Sequence, residues 1–119
     1  MARHNELGKK GEVLAKKYLV DKGYRIVETN WRFDKDEIDL IAWQDDLLVI
    51  VEVKTTSTAY FGEPEEAVDA RKESFLIRAT EAYLEKYDLD CESRFDIVAI
   101  VLNDQETRIN HIEDAFYPE

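Results

Sequence analysis

Between Asn5 and Lys22 the apolar positions recur with a helical period: at about 100° per residue, Leu7, Gly11, Leu14, Ala15, Tyr18 and Leu19 fall on one arc. Lys9, Lys10, Lys16 and Lys17 fall outside it, so the pattern predicts an amphipathic helix with a charged outer face. Gly8 and Gly11 lie in the apolar arc, where each costs about 1 kcal/mol of helix propensity and would let the helix approach a sheet closely. Glu12 sits at the rim of the arc, and Gly23 supplies the stop.

Beyond Gly23 the period shortens to two. Tyr24–Trp31 reads as a strand of β-branched and aromatic residues, and Arg32–Asp36 as a polar connection. Glu37–Trp43 and Leu47–Lys54, flanking Gln44-Asp45-Asp46, predict a β-hairpin. Thr55–Gly62 reads as a hydroxyl-rich loop. A helix is expected from about Pro64 to Tyr87, because proline suits a first turn and Glu65 and Glu66 suit its dipole; Val68, Phe75, Leu76, Ala79, Ala82 and Tyr83 would face inward. Arg94–Leu102 and Thr107–Glu113 form two further strands. The order α-β-β-β-α-β-β predicts an α/β fold with a mixed central sheet flanked by helices. No repeat, linker or composition break divides the chain, so residues 1–119 are read as one domain.

The hairpin turns this pattern into chemistry. A two-residue turn at Asp45-Asp46 makes opposed residues sum to 91, which sets Asp39 against Glu52, Glu37 against Lys54 and Ile41 against Ile50 on one face. Ile38 with Val53, Leu40 with Val51 and Ala42 with Val49 would make the other face wholly apolar. Opposed carboxylates repel by some tenths to about 1 kcal/mol, a conflict that a divalent cation removes. Carboxylate oxygens are the ligands that Mg²⁺ or Mn²⁺ prefer, and Lys54, on the same face, would bring an ammonium beside the coordinated waters. That arrangement suits phosphodiester hydrolysis. Glu12 would join as a third ligand if its helix docks near the polar end of the hairpin. The plainer reading of Glu52 and Lys54 is a solvated strand face with an ordinary ion pair.

Composition narrows the partners. Sixteen basic against twenty-seven acidic residues give a net charge of −11, a poor electrostatic footprint for a nucleic-acid binder. The charge is uneven: residues 1–35 carry +4 and residues 36–119 carry −15. A local basic surface near the N-terminal helix is therefore compatible with phosphate contact, as is a solvated helix face. The longest apolar run, Leu47–Val51, is far below the roughly 18 residues of a membrane span, so no membrane association is expected. The first residues lack the apolar core of a secretory signal. A single cysteine, Cys91, excludes an internal disulfide and a cysteine-rich zinc site. Together these point to the cytoplasm.

Asp39 followed by Glu52-Val53-Lys54 on adjacent strands resembles the PD-(D/E)xK signature of restriction-endonuclease-like nucleases. Gly11-Glu12-Val13-Leu14-Ala15, Asn30-Trp31-Arg32, Glu37-Ile38-Asp39-Leu40-Ile41, Val51-Glu52-Val53-Lys54-Thr55 and Arg94-Phe95-Asp96 occur in the order seen in the YraN-like family of small bacterial proteins, and the resemblance covers nearly the whole chain. That family is similar in fold to Holliday-junction resolvases. The resemblance implies a restriction-endonuclease-like core with Glu12, Asp39 and Glu52 as metal ligands, Mg²⁺ or Mn²⁺ as cofactor and Lys54 as the catalytic lysine. Two departures, Thr56 where relatives commonly carry arginine and the weakly basic stretch Arg71–Arg78, bear on nucleic-acid affinity rather than on the metal site.

The expected function is a metal-dependent endonuclease acting on DNA, including branched structures, for which a homodimer would suit the two-fold symmetry of a junction. The alternative is a non-catalytic module that keeps the fold and binds nucleic acid or protein; the charge of −11 favours it. Thr55-Thr56-Ser57-Thr58 could donate hydroxyl bonds to phosphates or be a plain polar loop. Trp31 and Trp43 read as core or hairpin packing residues rather than base-stacking platforms, and Asp96 as a structural residue that either caps the sheet edge or holds Arg94. His4 and His111 lack ligand-spaced partners and are assigned no role.

Overall fold

A computed structural model describes residues 2–58 and 68–117, with side chains from residue 6 onward. Its elements run α1 (Ala2–Asp21), β1 (Arg25–Phe33), β2 (Asp36–Gln44), β3 (Leu47–Thr56), α2 (Ala70–Lys86), β4 (Ser93–Leu102) and β5 (Thr107–Phe116). The five strands form one sheet in chain order, antiparallel except for the parallel pair β3 and β4, which α2 bridges. This is the mixed α/β architecture expected, with the elements in the expected order. Among the described residues no helix is long and apolar enough to cross a membrane.

The helices cover opposite faces. Ala15 and Leu19 of α1 bury against Leu40, Ala42, Val49, Val51, Val98 and Ile100. Phe75, Leu76, Ala79 and Tyr83 of α2 bury against Ile38, Ile41, Leu48, Ile50, Phe95 and Ile97. Strands clothed on both sides need apolar residues at every position, which is why β3 and β4 read as runs rather than alternations. Trp31 packs in this second core, stacked beside Phe33 and edge-on to Tyr83.

Gly11 is the point of closest approach of α1: a Cβ there would overlap the Thr55 side chain on β3. Gly8 does not share that role, since it is exposed and a Cβ would meet nothing within 4 Å. Three boundaries also differ from expectation. β1 and β2 extend through most of Arg32–Asp36 and leave a tight turn at Asp34, whose φ of 57° is left-handed. β3 continues through Thr55 and Thr56, which pair with Ile100 and Val101, instead of opening into a loop. Pro64, Glu65 and Glu66 lie outside the described residues, but the helix cannot run on from them: Asp69 has extended backbone, and its Oδ1 accepts the Lys72 N–H at 2.9 Å, so α2 starts at Ala70.

Beneath α1, Asp96 anchors a buried polar network. Arg94 donates from Nε to Oδ1 and from Nη2 to Oδ2, each at 2.8 Å. His111 Nε2 lies 2.7 Å from Oδ2, and its Nδ1 lies 3.2 Å from the Tyr18 hydroxyl oxygen. The Asp114 N–H, at a left-handed residue where the β4–β5 register shifts, reaches Oδ1 at 3.1 Å. Arg94 also reaches Gln44 and the Tyr24 hydroxyl. Burial alone would raise the Asp96 pKa, but the bonds from His111, Arg94 and Asp114 outweigh it and hold the carboxyl below its usual range. The Arg94–Asp96 bond expected from the sequence is present, with His111 added to it.

Candidate functional site

The hairpin register is the one the sequence dictates: Leu40 pairs with Val51, Ile41 with Ile50, Ala42 with Val49, Trp43 with Leu48 and Gln44 with Leu47. Asp45 takes the left-handed conformation of the turn, at φ 54°. The regular ladder stops one step before the residues of interest. The Asp39 carboxylate accepts the Val53 N–H at 2.7 Å, so a side chain takes a donor that continued strand pairing would use. The faces change over at this point: Ile38 joins the core under α2, whereas Leu40 joins the core under α1.

One expectation of the strict alternation fails for that reason. Ile38 and Val53 do not share a face, because Ile38 belongs to the α2 side and Val53 packs on the α1 side. Ile41 and Ile50 lie on the side that α2 covers.

Glu52 follows Leu48 and Ile50 onto the α2 side, where the charges of Asp39 and Glu52 act on each other. Its Oε1 is buried without a hydrogen-bond partner. The Lys72 ammonium, from the first turn of α2, stands 3.7 Å from that oxygen and 3.0 Å from Asp36 Oδ2. Burial pushes the Glu52 pKa up to about 8, the Asp39 charge adds to the rise, and Lys72 opposes it without prevailing. Asp39 is raised too, first by burial and also by the Glu12 charge, against the Val53 N–H and Lys72. Lys72 would be lowered by burial, but the charges of Glu52, Asp36 and Asp39 raise it.

Glu12 arrives from the other side of the sheet. Asn30, held left-handed at φ 52° on β1, donates its amide to Glu12 Oε1 at 3.0 Å. Glu12, Asn30, Glu37, Asp39, Lys54 and Thr55 line an open cavity of about 500 Å³ whose wall also includes Lys9. Lys54 is exposed and, among the described residues, makes no ion pair with Asp39 or Glu52. The four residues singled out from the sequence are thus placed as an interacting pair, Asp39 and Glu52, with Glu12 in electrostatic reach of Asp39 and Lys54 on the cavity wall. Among the described residues, no three His, Cys, Asp or Glu side chains stand in a ready-made ligand set.

Sequence reasoning missed Asn30, Asp36 and Lys72. Each left a signal. Asparagine tolerates the left-handed conformation better than most residues. Lysine in the first turn of a helix opposes the helix dipole and therefore calls for a carboxylate partner elsewhere.

Comparison with known proteins gives the chain a family. The uncharacterised protein family UPF0102 matches residues 11–100, and the chain belongs to it, which is the membership that the YraN-like resemblance implied. A UPF0102 protein of Flavobacterium psychrophilum is 51% identical over 117 residues, covering 98% of both chains. Relatives from Christiangramia forsetii, 50% identical with 98% of both chains covered, and Phocaeicola vulgatus, 47% identical with 99% of this chain and 98% of its own covered, carry the same family name. The match spans Glu12, Asp39, Glu52 and Lys54, and also Asn30 and Lys72. Membership leaves the reaction to be argued from the site.

Proposed function

We propose that this UPF0102 protein is a metal-dependent endonuclease-like hydrolase of DNA phosphodiester bonds, with Asp39, Glu52 and Glu12 holding Mg²⁺ or Mn²⁺ and Lys54 assisting the attack of water. The observation that carries this reading is the buried, unpartnered Glu52 Oε1 set against a second buried carboxyl. An all-oxygen donor set with more negative charge than its surroundings neutralise fits a hard divalent cation. When bound, such an ion polarises a phosphoryl oxygen and acidifies water. The chain's own residues do the rest. The Val53 N–H fixes one oxygen of Asp39, Asn30 orients Glu12, and Lys54 and Lys9 offer positive charge at the cavity for a phosphate backbone.

Mn²⁺ titration tests the site. Binding, followed as heat or as a rise in melting temperature, is expected in the wild type and is expected to vanish in Asp39→Ala and Glu52→Ala; equal responses in all three overturn the proposal. Cleavage of linear, single-stranded and four-way-junction DNA at low salt tests the activity, because phosphate contacts weaken steeply with salt. The net charge of −11 favours a second reading, a non-catalytic binding module on the same fold. Mn²⁺ binding together with DNA retention and no cleavage would select it. A junction substrate would further call for a homodimer, measurable by sedimentation.

A further inference from the structure

Lys72 is in an unusual position for a lysine. It lies in the first turn of α2, where the helix dipole disfavours positive charge. Its side chain is only 21% exposed, and Nζ stands 5.2 Å from the Phe75 ring centre. The ammonium is held there by carboxylates: Asp36 at 3.0 Å, Glu52 at 3.7 Å, and the charge of Asp39 behind it. The two distances differ in kind. The contact with Asp36 is a hydrogen bond, whereas 3.7 Å to Glu52 Oε1 is too long for one. Lys72 therefore stands against the Asp39–Glu52 pair without satisfying the Glu52 oxygen.

We infer that Lys72 is the internal counter-cation of the Asp39–Glu52 pair, which a divalent ion must displace from Glu52, so that Lys72 sets the affinity of this site for metal. The inference rests on the metal-binding reading above and adds to it a competitor built into the fold. Two cations cannot share the buried carboxyl pair without mutual repulsion, and the side of the pair that faces α2 is occupied by this ammonium. Asp36, half exposed and already bonded to Nζ, provides the place to which the lysine retreats. Occupancy by metal then requires only that a long, weak contact be given up while a short one is kept.

The test is Mn²⁺ affinity, by calorimetry, of the wild type, Lys72→Met, Lys72→Gln and Lys54→Met. Methionine keeps the contact with Phe75, and glutamine keeps a donor for Asp36, so one covers a folding failure of the other. Competition predicts that both Lys72 variants bind Mn²⁺ at least tenfold more tightly than the wild type. It also predicts that Lys54→Met, which removes an equal charge from the cavity wall, gains much less. Melting temperature supplies a second readout: the Lys72 variants should melt below the wild type without metal, and, unlike variants of a merely structural lysine, should close the gap at saturating Mn²⁺. Mn²⁺ binding that is unchanged or weaker in the Lys72 variants, or a gain equalled by Lys54→Met, overturns the inference and leaves the metal site standing. Absence of Mn²⁺ binding in every protein overturns both.

Discussion

Asp96 pairs with Val51 across the parallel seam, one step from Glu52, yet the two carboxyl groups face opposite sides of the sheet and are treated in opposite ways. Asp96 is 1% exposed, and each of its oxygens accepts two hydrogen bonds, so its charged form is the favoured one. Glu52 is largely buried, its side chain 16% exposed, but it faces a like charge, keeps an orphaned oxygen and favours its proton. Burial is common to both. What differs is whether the fold completes the group or leaves it incomplete, and an incomplete buried group is where a ligand has something to add.

The sharpest way to break this contrast is at Asp96. Asp96→Ala strands Arg94 in a largely buried position and should cost about 3–5 kcal/mol in urea unfolding, with no selective effect on Mn²⁺ binding. A loss below 1 kcal/mol would mean that the network contributes little. Gly11→Ala comes next: the new methyl meets Thr55, and overpacking of this kind costs about 1–3 kcal/mol. Because α1 also carries Glu12, the same substitution should weaken Mn²⁺ binding, and Gly11→Ala combined with Thr55→Gly, which removes the Thr55 Cβ as well, should recover part of the stability.

Glu52→Gln should act in the reverse direction, stabilising the metal-free protein by on the order of 1 kcal/mol at pH 8 while abolishing Mn²⁺ binding. The sign follows from linkage. From about pH 4.5, the ordinary value, to about 8, the unfolded chain has released the Glu52 proton while the folded chain retains it, so metal-free stability falls as pH rises through that window. Glu52→Gln or saturating Mn²⁺ should flatten that slope. Asp96 acts oppositely: its contribution is complete above its ordinary value of 3.8 and is lost on acidification. Thermal melts from pH 3 to 9 check both limbs. The smallest effect is expected from Tyr18→Phe, which removes one hydroxyl from His111 Nδ1 and should cost about 0.5–1 kcal/mol.

The sequence was most legible where one periodicity ran unbroken. The buried face of α1, the hairpin register and the α2 core positions Phe75, Leu76, Ala79 and Tyr83 all follow from counting. It was least legible where a side chain replaced a backbone partner. Asp39 intercepts the Val53 N–H, which ends the alternation that placed Ile38 and Val53 together. Asp69 caps α2 and cuts short a helix that looked continuous from Pro64. Lys72 was hidden for a different reason: its partners lie 20 and 36 residues away in sequence, on other elements, and no local pattern joins them. His111 likewise looked isolated because Asp96 reaches it only once β5 folds back on β4.

The single parallel seam between β3 and β4 bears on the order in which the molecule assembles. The strands before it, β1 to β3, and those after it, β4 and β5, are each joined to their neighbours by short turns, so either group can zip up from contacts close in the chain. Joining the groups requires closing the long excursion from Thr56 to Ser93, the costliest loop entropy in the fold. The four bonds to Asp96 come from within β4 and β5 and need no such closure, whereas Lys72 reaches Glu52 from the excursion itself, so the two carboxyl groups acquire their surroundings from different assembly events.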